Sequence, residues 1–193
     1  MKRAATSSVF TIEQEEFSMS KGLIHVYYGY GKGKTTAALG LALRAAGSGK
    51  SVVIVQFLKE SNTSELSHLR LLPNVTVMRG TAAKVFAHDM TPEQLEETKK
   101  IQNKNLSEAL DIVKSGNCGL LVLDEALDAY QLGLLDTDLF MDLILNKPEA
   151  LELVITGHKP DENIIGRADY VTEMVKIKHP YDKGIKGRKG IEF

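Results

Sequence analysis

The sequence predicts a three-layer α/β/α protein built on a mostly parallel sheet of about six strands. Two observations carry that prediction. Short aliphatic runs alternate with helical patterns along the whole body of the chain. One of those strand-to-helix junctions is a glycine-rich turn, Gly29-Tyr30-Gly31-Lys32-Gly33-Lys34-Thr35-Thr36.

The candidate strands are residues 23–28, 52–57, 75–79, 120–123, 151–156 and 170–176. Several are unbroken β-branched or aliphatic runs, as expected of strands covered on both faces. A helix is expected over 37–46, directly after the glycine-rich turn. The longest helical pattern opens at Thr91-Pro92-Glu93, with a threonine cap, a proline at the first helical position and acids in the first turn, and runs to about residue 115. Another covers 136–146 and stops before Pro148. Strand–helix alternation implies parallel strands joined by right-handed crossovers. Ligands in such sheets bind beyond the carboxyl ends of the strands. That rule collects residues 29–36, 56–60, Arg79-Gly80, Asp124-Glu125 and Gly157-His158-Lys159 on one rim.

The chain has 193 residues, of which 43% are hydrophobic and 25% charged. It is long enough for one ordinary α/β domain, expected over 21–193, and short for two. Its formal net charge of -1 provides no global field toward nucleic acid or membrane. No apolar stretch is long enough to span a bilayer. The single cysteine, Cys118, cannot form an internal disulfide and fits a reducing, cytoplasmic setting. Beside an apolar run, it is expected to be a small buried hydrophobe. Residues 1–20 start basic but lack the apolar centre of a secretory signal. They read as a polar N-terminal arm, either a loose tail or a flap anchored by Phe10, Ile12 and Phe17.

The glycine-rich turn is expected to cradle a triphosphate. Its backbone N–H groups converge on phosphate oxygens, and the following helix start adds positive potential. Lys34 is placed to reach the phosphates, and the Thr35 hydroxyl to sit on Mg2+. The loop is a variant of the common pattern, because Tyr28 stands where the first glycine falls and Gly29 follows one residue later. Asp124 and Glu125, after the run Leu120-Leu121-Val122-Leu123, can supply carboxylates to the metal. Read alone, the same acids fit a helix N-terminus. Arg44, two and a half turns beyond Lys34, reads on its own as a solvated arginine. The five histidines show no metal-ligand spacing, and His25 reads as a strand histidine. No nucleophile with a neighbouring base stands out.

Gly29 to Ala38 with Arg44 downstream resembles the ATP:corrinoid adenosyltransferases of the cob(I)alamin and cob(I)yrinic acid a,c-diamide type. Val55-Gln56-Phe57-Leu58-Lys59, Leu121-Val122-Leu123-Asp124-Glu125, Ile155-Thr156-Gly157 and the ending from Lys178 to Phe193 are similar to the same family. The displaced first glycine is a trait of that family. The resemblance covers about residues 21–193 and implies a P-loop NTPase-like (RecA-like) fold. It implies a reaction in which Co(I) of a corrinoid attacks the 5′ carbon of ATP and triphosphate leaves whole. The implied roles place Gly29, Tyr30, Gly31, Lys32, Gly33, Lys34, Thr35 and Thr36 on the nucleotide, with Lys34 and Arg44 acting on it in catalysis. Thr35, Asp124 and Glu125 surround Mg2+, and Phe86 and His158 contact the substrates. A homodimer and a flavin-containing reductant protein are the implied partners.

The chain departs from the family at three places. Tyr30 stands where a small polar residue is common, and His158 where arginine is common. The family's Phe-x-Trp pair is missing, since the chain has no tryptophan; Phe86 is left either to share that pair's role beneath the corrin or to pack within its loop. Two other readings remain open at this stage: a phosphate-loop kinase or ATPase, and a non-catalytic nucleotide- or corrinoid-binding relative.

Overall fold

A computed structural model describes residues 21–59, 63–82 and 87–193, with the side chain of His88 set aside. The arm at 1–20, with Phe10, Ile12 and Phe17, and Phe86 lie outside the described residues.

Six strands form one sheet: β1 (Ile24–Tyr28), β2 (Val52–Gln56), β3 (Val75–Arg79), β4 (Leu120–Asp124), β5 (Glu152–Gly157) and β6 (Tyr170–Glu173). Their order is β3-β2-β4-β5-β1-β6, and every pairing is parallel. The helices are α1 (Lys34–Gly47), α2 (Leu66–Leu69), α3 (Pro92–Lys114), α4 (Ala126–Gln131), α5 (Thr137–Asn146) and α6 (Glu162–Arg167). The expected three-layer α/β/α architecture is present, with β5 inserted between the strand that feeds the glycine-rich turn and the strand that ends in Asp124.

The strands divide their side chains by alternation. Val53 and Val55, Leu121 and Leu123, and Leu153 and Ile155 face α3 and α5, where Leu106, Leu110, Val113, Phe140 and Ile144 complete one apolar cluster. Val52, Ile54, Leu120, Val122 and Val154 face the other way, onto Ala38, Leu39, Ala42 and Ala46 of α1. The alanines recur every four residues, so one smooth face of α1 lies close against the sheet. That packing sets where the start of α1 meets the end of β1.

Local signals explain the boundaries. Thr91 and Gln94 form a reciprocal capping box at the start of α3, with Pro92 at its first position. Asp136 caps α5 through the Leu139 N–H. The first helix begins three residues earlier than periodicity suggests, because Lys34 to Thr36 are its first turn. The last strand is shorter than expected and ends at Glu173. Beyond it, the Met174 carbonyl accepts from the Gly31 N–H at 2.6 Å, so this stretch supports the glycine-rich turn. Cys118 is largely buried, and burial pushes its thiol up to about 11. No described helix is long and apolar enough to cross a membrane.

Phe140 is fully buried between α5 and the sheet. Phe140→Ala is expected to lower unfolding stability by about 3–5 kcal/mol through lost burial and the cavity left behind. Urea denaturation of the two proteins checks this; a loss under about 1 kcal/mol would show that the site collapses around the smaller side chain.

Candidate active site

The glycine-rich turn is shaped by contacts that require its glycines. Gly33 has φ 120° and is the residue from which α1 departs. A Cβ on Gly31 would lie 2.6 Å from the Met174 carbonyl oxygen. Two of the loop's N–H groups are fixed to the scaffold: Gly29 to the His158 carbonyl at 2.9 Å and Gly31 to Met174. The first intrahelical bond of α1 runs from the Ala37 N–H to the Gly33 carbonyl. The N–H groups of Lys34, Thr35 and Thr36 therefore lack intrahelical acceptors and form the anion-facing end of the helix. The Lys34 ammonium curls back onto the Gly29 and Gly31 carbonyls at 2.7 and 3.1 Å. Burial lowers its pKa, opposed by the carboxylates of Asp128, Glu125 and Asp124.

Asp124 is the centre of the arrangement and is fully buried. Its Oδ1 accepts from the hydroxyls of Thr35 at 2.9 Å and Thr156 at 2.8 Å. Its Oδ2 accepts from Gln56 Nε2 at 3.1 Å and Lys59 Nζ at 2.7 Å. Side chains from α1, β5, β2 and the loop after β2 thus converge on one carboxylate. Glu125, next in line, has φ 60°, a left-handed conformation that costs a non-glycine residue about 1–2 kcal/mol. The Thr156 hydroxyl holds that turn by accepting from the Glu125 N–H at 2.9 Å. The Glu125 carboxylate lies 3.2 Å from Lys59 Nζ. Burial raises the Glu125 pKa against the pull of Lys59. Burial alone would lower the Lys59 pKa, but Asp124 and Glu125 more than offset it, and the net direction is upward.

The structure therefore gathers Gly29, Gly31, Gly33, Lys34, Thr35, Asp124 and Glu125 at one rim. Tyr30 is exposed, and its ring lies 5.0 Å from that of His158. Asp128 of α4 holds His158 twice, accepting from its N–H at 3.0 Å and pairing with ring Nδ1 at 2.7 Å. Lys32 is exposed and pairs with Glu192 at 3.1 Å. Hydrogen bonds from Arg188 hold the Glu192 carboxyl down at about 2. Thr36 is exposed on the first turn. Arg44 is exposed near the far end of α1, ~15 Å along the axis from Lys34, and does not join the cluster around Asp124. His25 pairs with Glu152 and stacks on Tyr170, as suits a strand histidine.

Five further residues take part to which the sequence assigns no role: Gln56, Lys59, Asp128, Thr156 and Met174. Gln56, Lys59 and Thr156 stand in runs that resemble the family, and Gln56 and Lys59 also on the expected ligand rim, but nothing singles them out within those runs. Asp128 carries no signal.

The family model described as ATP:corrinoid adenosyltransferase BtuR/CobO/CobP matches residues 20–193. The chain belongs to this family. It is 33% identical over 176 residues to the corrinoid adenosyltransferase of Pseudomonas aeruginosa, covering 90% of this chain and 84% of that one. It is 31% identical over 173 residues to the corrinoid adenosyltransferase of Escherichia coli K12, covering 90% and 86%. Corrinoid adenosyltransferase CobA of Salmonella typhimurium is 31% identical over 182 residues, with the same coverage of each chain.

The donor set of this adenosyltransferase suits the magnesium that accompanies a triphosphate. Thr35, Asp124 and Glu125 offer oxygen only, the chemistry a hard divalent cation takes. Among the described residues the buried Gln56 Oε1 has no hydrogen-bond partner, so it can accept from a metal-bound water. Among the described residues no cluster of three or more His, Cys, Asp or Glu side chains is assembled.

The raised pKa of Glu125 has a definite sign for stability. A carboxyl whose folded pKa lies above its unfolded value contributes stability that is present below the ordinary carboxylate range and is lost as pH rises through the folded value. Glu125→Gln removes that loss. The variant's thermal stability relative to wild type is expected to increase between about pH 4 and pH 8. Melting curves across that range check it, and a difference that shrinks with pH would contradict the assigned direction.

Proposed function

We propose that this chain transfers the 5′-deoxyadenosyl group of ATP to the Co(I) centre of a corrinoid, releasing triphosphate, in the biosynthesis or salvage of adenosylcobalamin. The observation that carries the proposal is the joining of a phosphate-loop lysine, Thr35 and the buried Asp124 at one rim, in a chain whose family is defined by ATP and a corrinoid. The electron pair of Co(I) forms the cobalt–carbon bond. The bond from C5′ to the α-phosphate oxygen breaks, and its pair leaves with triphosphate. The metal of the corrinoid is the nucleophile, so the protein need not provide one.

The protein's contribution is placement and charge. The N–H groups of Lys34, Thr35 and Thr36 grip the polyphosphate. The Lys34 ammonium, released from the Gly29 and Gly31 carbonyls, neutralises charge on the departing triphosphate. Asp124 orients the Thr35 hydroxyl by accepting its proton. Thr35, Asp124 and Glu125 would hold Mg2+, which supplies Lewis-acid neutralisation of the phosphate oxygens. Tyr30 and His158 form one wall of the opening. The family resemblance is the ground for assigning Arg44 and Lys32 a nucleotide contact and Phe86 a place beneath the corrin. It is also the ground for a homodimer, a flavin-containing reductant protein and a cytoplasmic setting; sedimentation velocity reads the first of these.

Under strong reduction, the protein with ATP and cob(I)alamin is expected to yield a light-sensitive cobalt–carbon species and triphosphate. Lys34→Ala is expected to lower kcat/KM by about 10²–10³-fold, the usual effect of removing a group that stabilises developing charge. ADP as the main nucleotide product would favour a kinase or ATPase instead. ATP binding with no product would favour a non-catalytic relative.

A further inference from the structure

The mechanism leaves Lys59 without a task, yet its side chain is only 19% exposed and its ammonium is closely held. Nζ lies 2.7 Å from Asp124 Oδ2, 3.0 Å from Thr35 Oγ1 and 3.2 Å from Glu125 Oε1. These are the same three side chains assigned above to a divalent cation. A Mg2+ ion binds oxygen at about 2.0–2.1 Å, so it cannot enter among those oxygens while the ammonium occupies them.

The backbone that delivers Lys59 is also unusual. Leu58 has φ 56°, one of only two non-glycine residues with positive φ among those described. The other is Glu125, which holds the same ammonium. A leucine adopts that conformation only when its surroundings impose it. Here the Phe57 N–H is fixed to the Asp124 carbonyl at 2.9 Å, and Leu58 packs against the core cluster on the α3–α5 face. The backbone at Leu58 therefore aims the lysine at the oxygen cluster.

We propose that Lys59 is a resident placeholder cation that occupies the divalent-metal position until a metal–polyphosphate complex displaces it. This rests on the reading of the rim as a metal–triphosphate site. Without nucleotide, the ammonium neutralises two adjoining carboxylates that would otherwise face each other uncompensated. Free divalent cation must evict it and leave it with no anionic partner. A metal that arrives with polyphosphate brings phosphate oxygens that the displaced ammonium can meet. Lys59 thus makes the site select the metal–nucleotide complex over the bare ion. It is a positioning residue that acts through the occupancy of Asp124 and Glu125.

The test measures Mn2+ binding to the full chain by electron paramagnetic resonance, with and without ATP. Wild type is expected to bind Mn2+ weakly alone and well with ATP. If the ammonium is seated nine times in ten, removing it tightens binding of the bare ion by about tenfold. Lys59→Met is therefore expected to gain about tenfold or more in affinity for free Mn2+, and Lys59→Arg, which keeps a cation there, to stay weak. A Lys59→Met protein that binds free Mn2+ no better than wild type, while both bind Mn2+ with ATP, overturns the placeholder and leaves the nucleotide site standing. A wild type that does not bind Mn2+ with ATP removes the nucleotide reading and the placeholder together. Should Lys59→Met fail to fold, the wild-type Lys59 ammonium is followed by 15N NMR, assigned by its loss in Lys59→Arg. Its signal is expected to shift with bound MgATP and to stay in place with Mg2+ alone; an unchanged signal in the MgATP complex overturns the proposal.

Discussion

A carboxylate removed from water must be matched by donors, or it destabilises the fold that buries it. Asp124 meets that condition with four partners drawn from separate parts of the chain: Thr35, Gln56, Lys59 and Thr156. The convergence ties the start of α1 to the ends of β2, β4 and β5. It turns the C-terminal rim of the sheet into a fixed frame rather than a set of independent loops. The threonine that follows the loop lysine is held in register with the acidic strand end by its own hydroxyl proton. The spacing between the glycine-rich turn and the acidic end of β4 is therefore a property of the core.

The same frame explains why strain is tolerated beside it. Leu58 and Glu125 both carry positive φ, and both adjoin residues bonded to Asp124 or its backbone. Local backbone cost of this kind persists where neighbouring contacts over-determine the conformation. Here each strained residue delivers a side chain to the same contact: Leu58 presents the next residue, Lys59, and Glu125 presents its own carboxylate, 3.2 Å apart. Relaxed versions of these turns would have no reason to direct those groups inward.

Much of the architecture was legible in the residues, for identifiable reasons. Strands β2 and β4 and the middle of β5 are covered on both faces, so they appear as nearly unbroken aliphatic runs. The glycine-rich turn declares itself because only glycine permits its conformation at Gly33 and the close approach at Gly31. Helices α2, α4 and α6 span four to six residues, too short to display a helical period. Residues 174–176 look like strand because Met174 and Val175 are apolar, but the Met174 carbonyl is committed to Gly31. On the rim, Asp124 was visible from its place after a buried run. Lys59 falls on the same rim, but its hold on the carboxylates was not visible, because a lysine just past a strand end has the pattern of an ordinary solvated side chain. Only its distances to three oxygens distinguish it. The position of Arg44 is the reverse case: resemblance puts it on the nucleotide, while the geometry keeps it away from Asp124.

The pairing of Gly31 with Met174 joins residues near opposite ends of the described chain. Thr35 and Asp124 are themselves 89 positions apart. Contacts at such separations are entropically costly to close and form late. During synthesis, a nascent polypeptide stopped short of the sixth strand would carry every residue of the phosphate-gripping motif yet lack the backbone that braces it. Bracing of the turn is thus deferred until the segment around Met174 has emerged and joined the edge of the sheet.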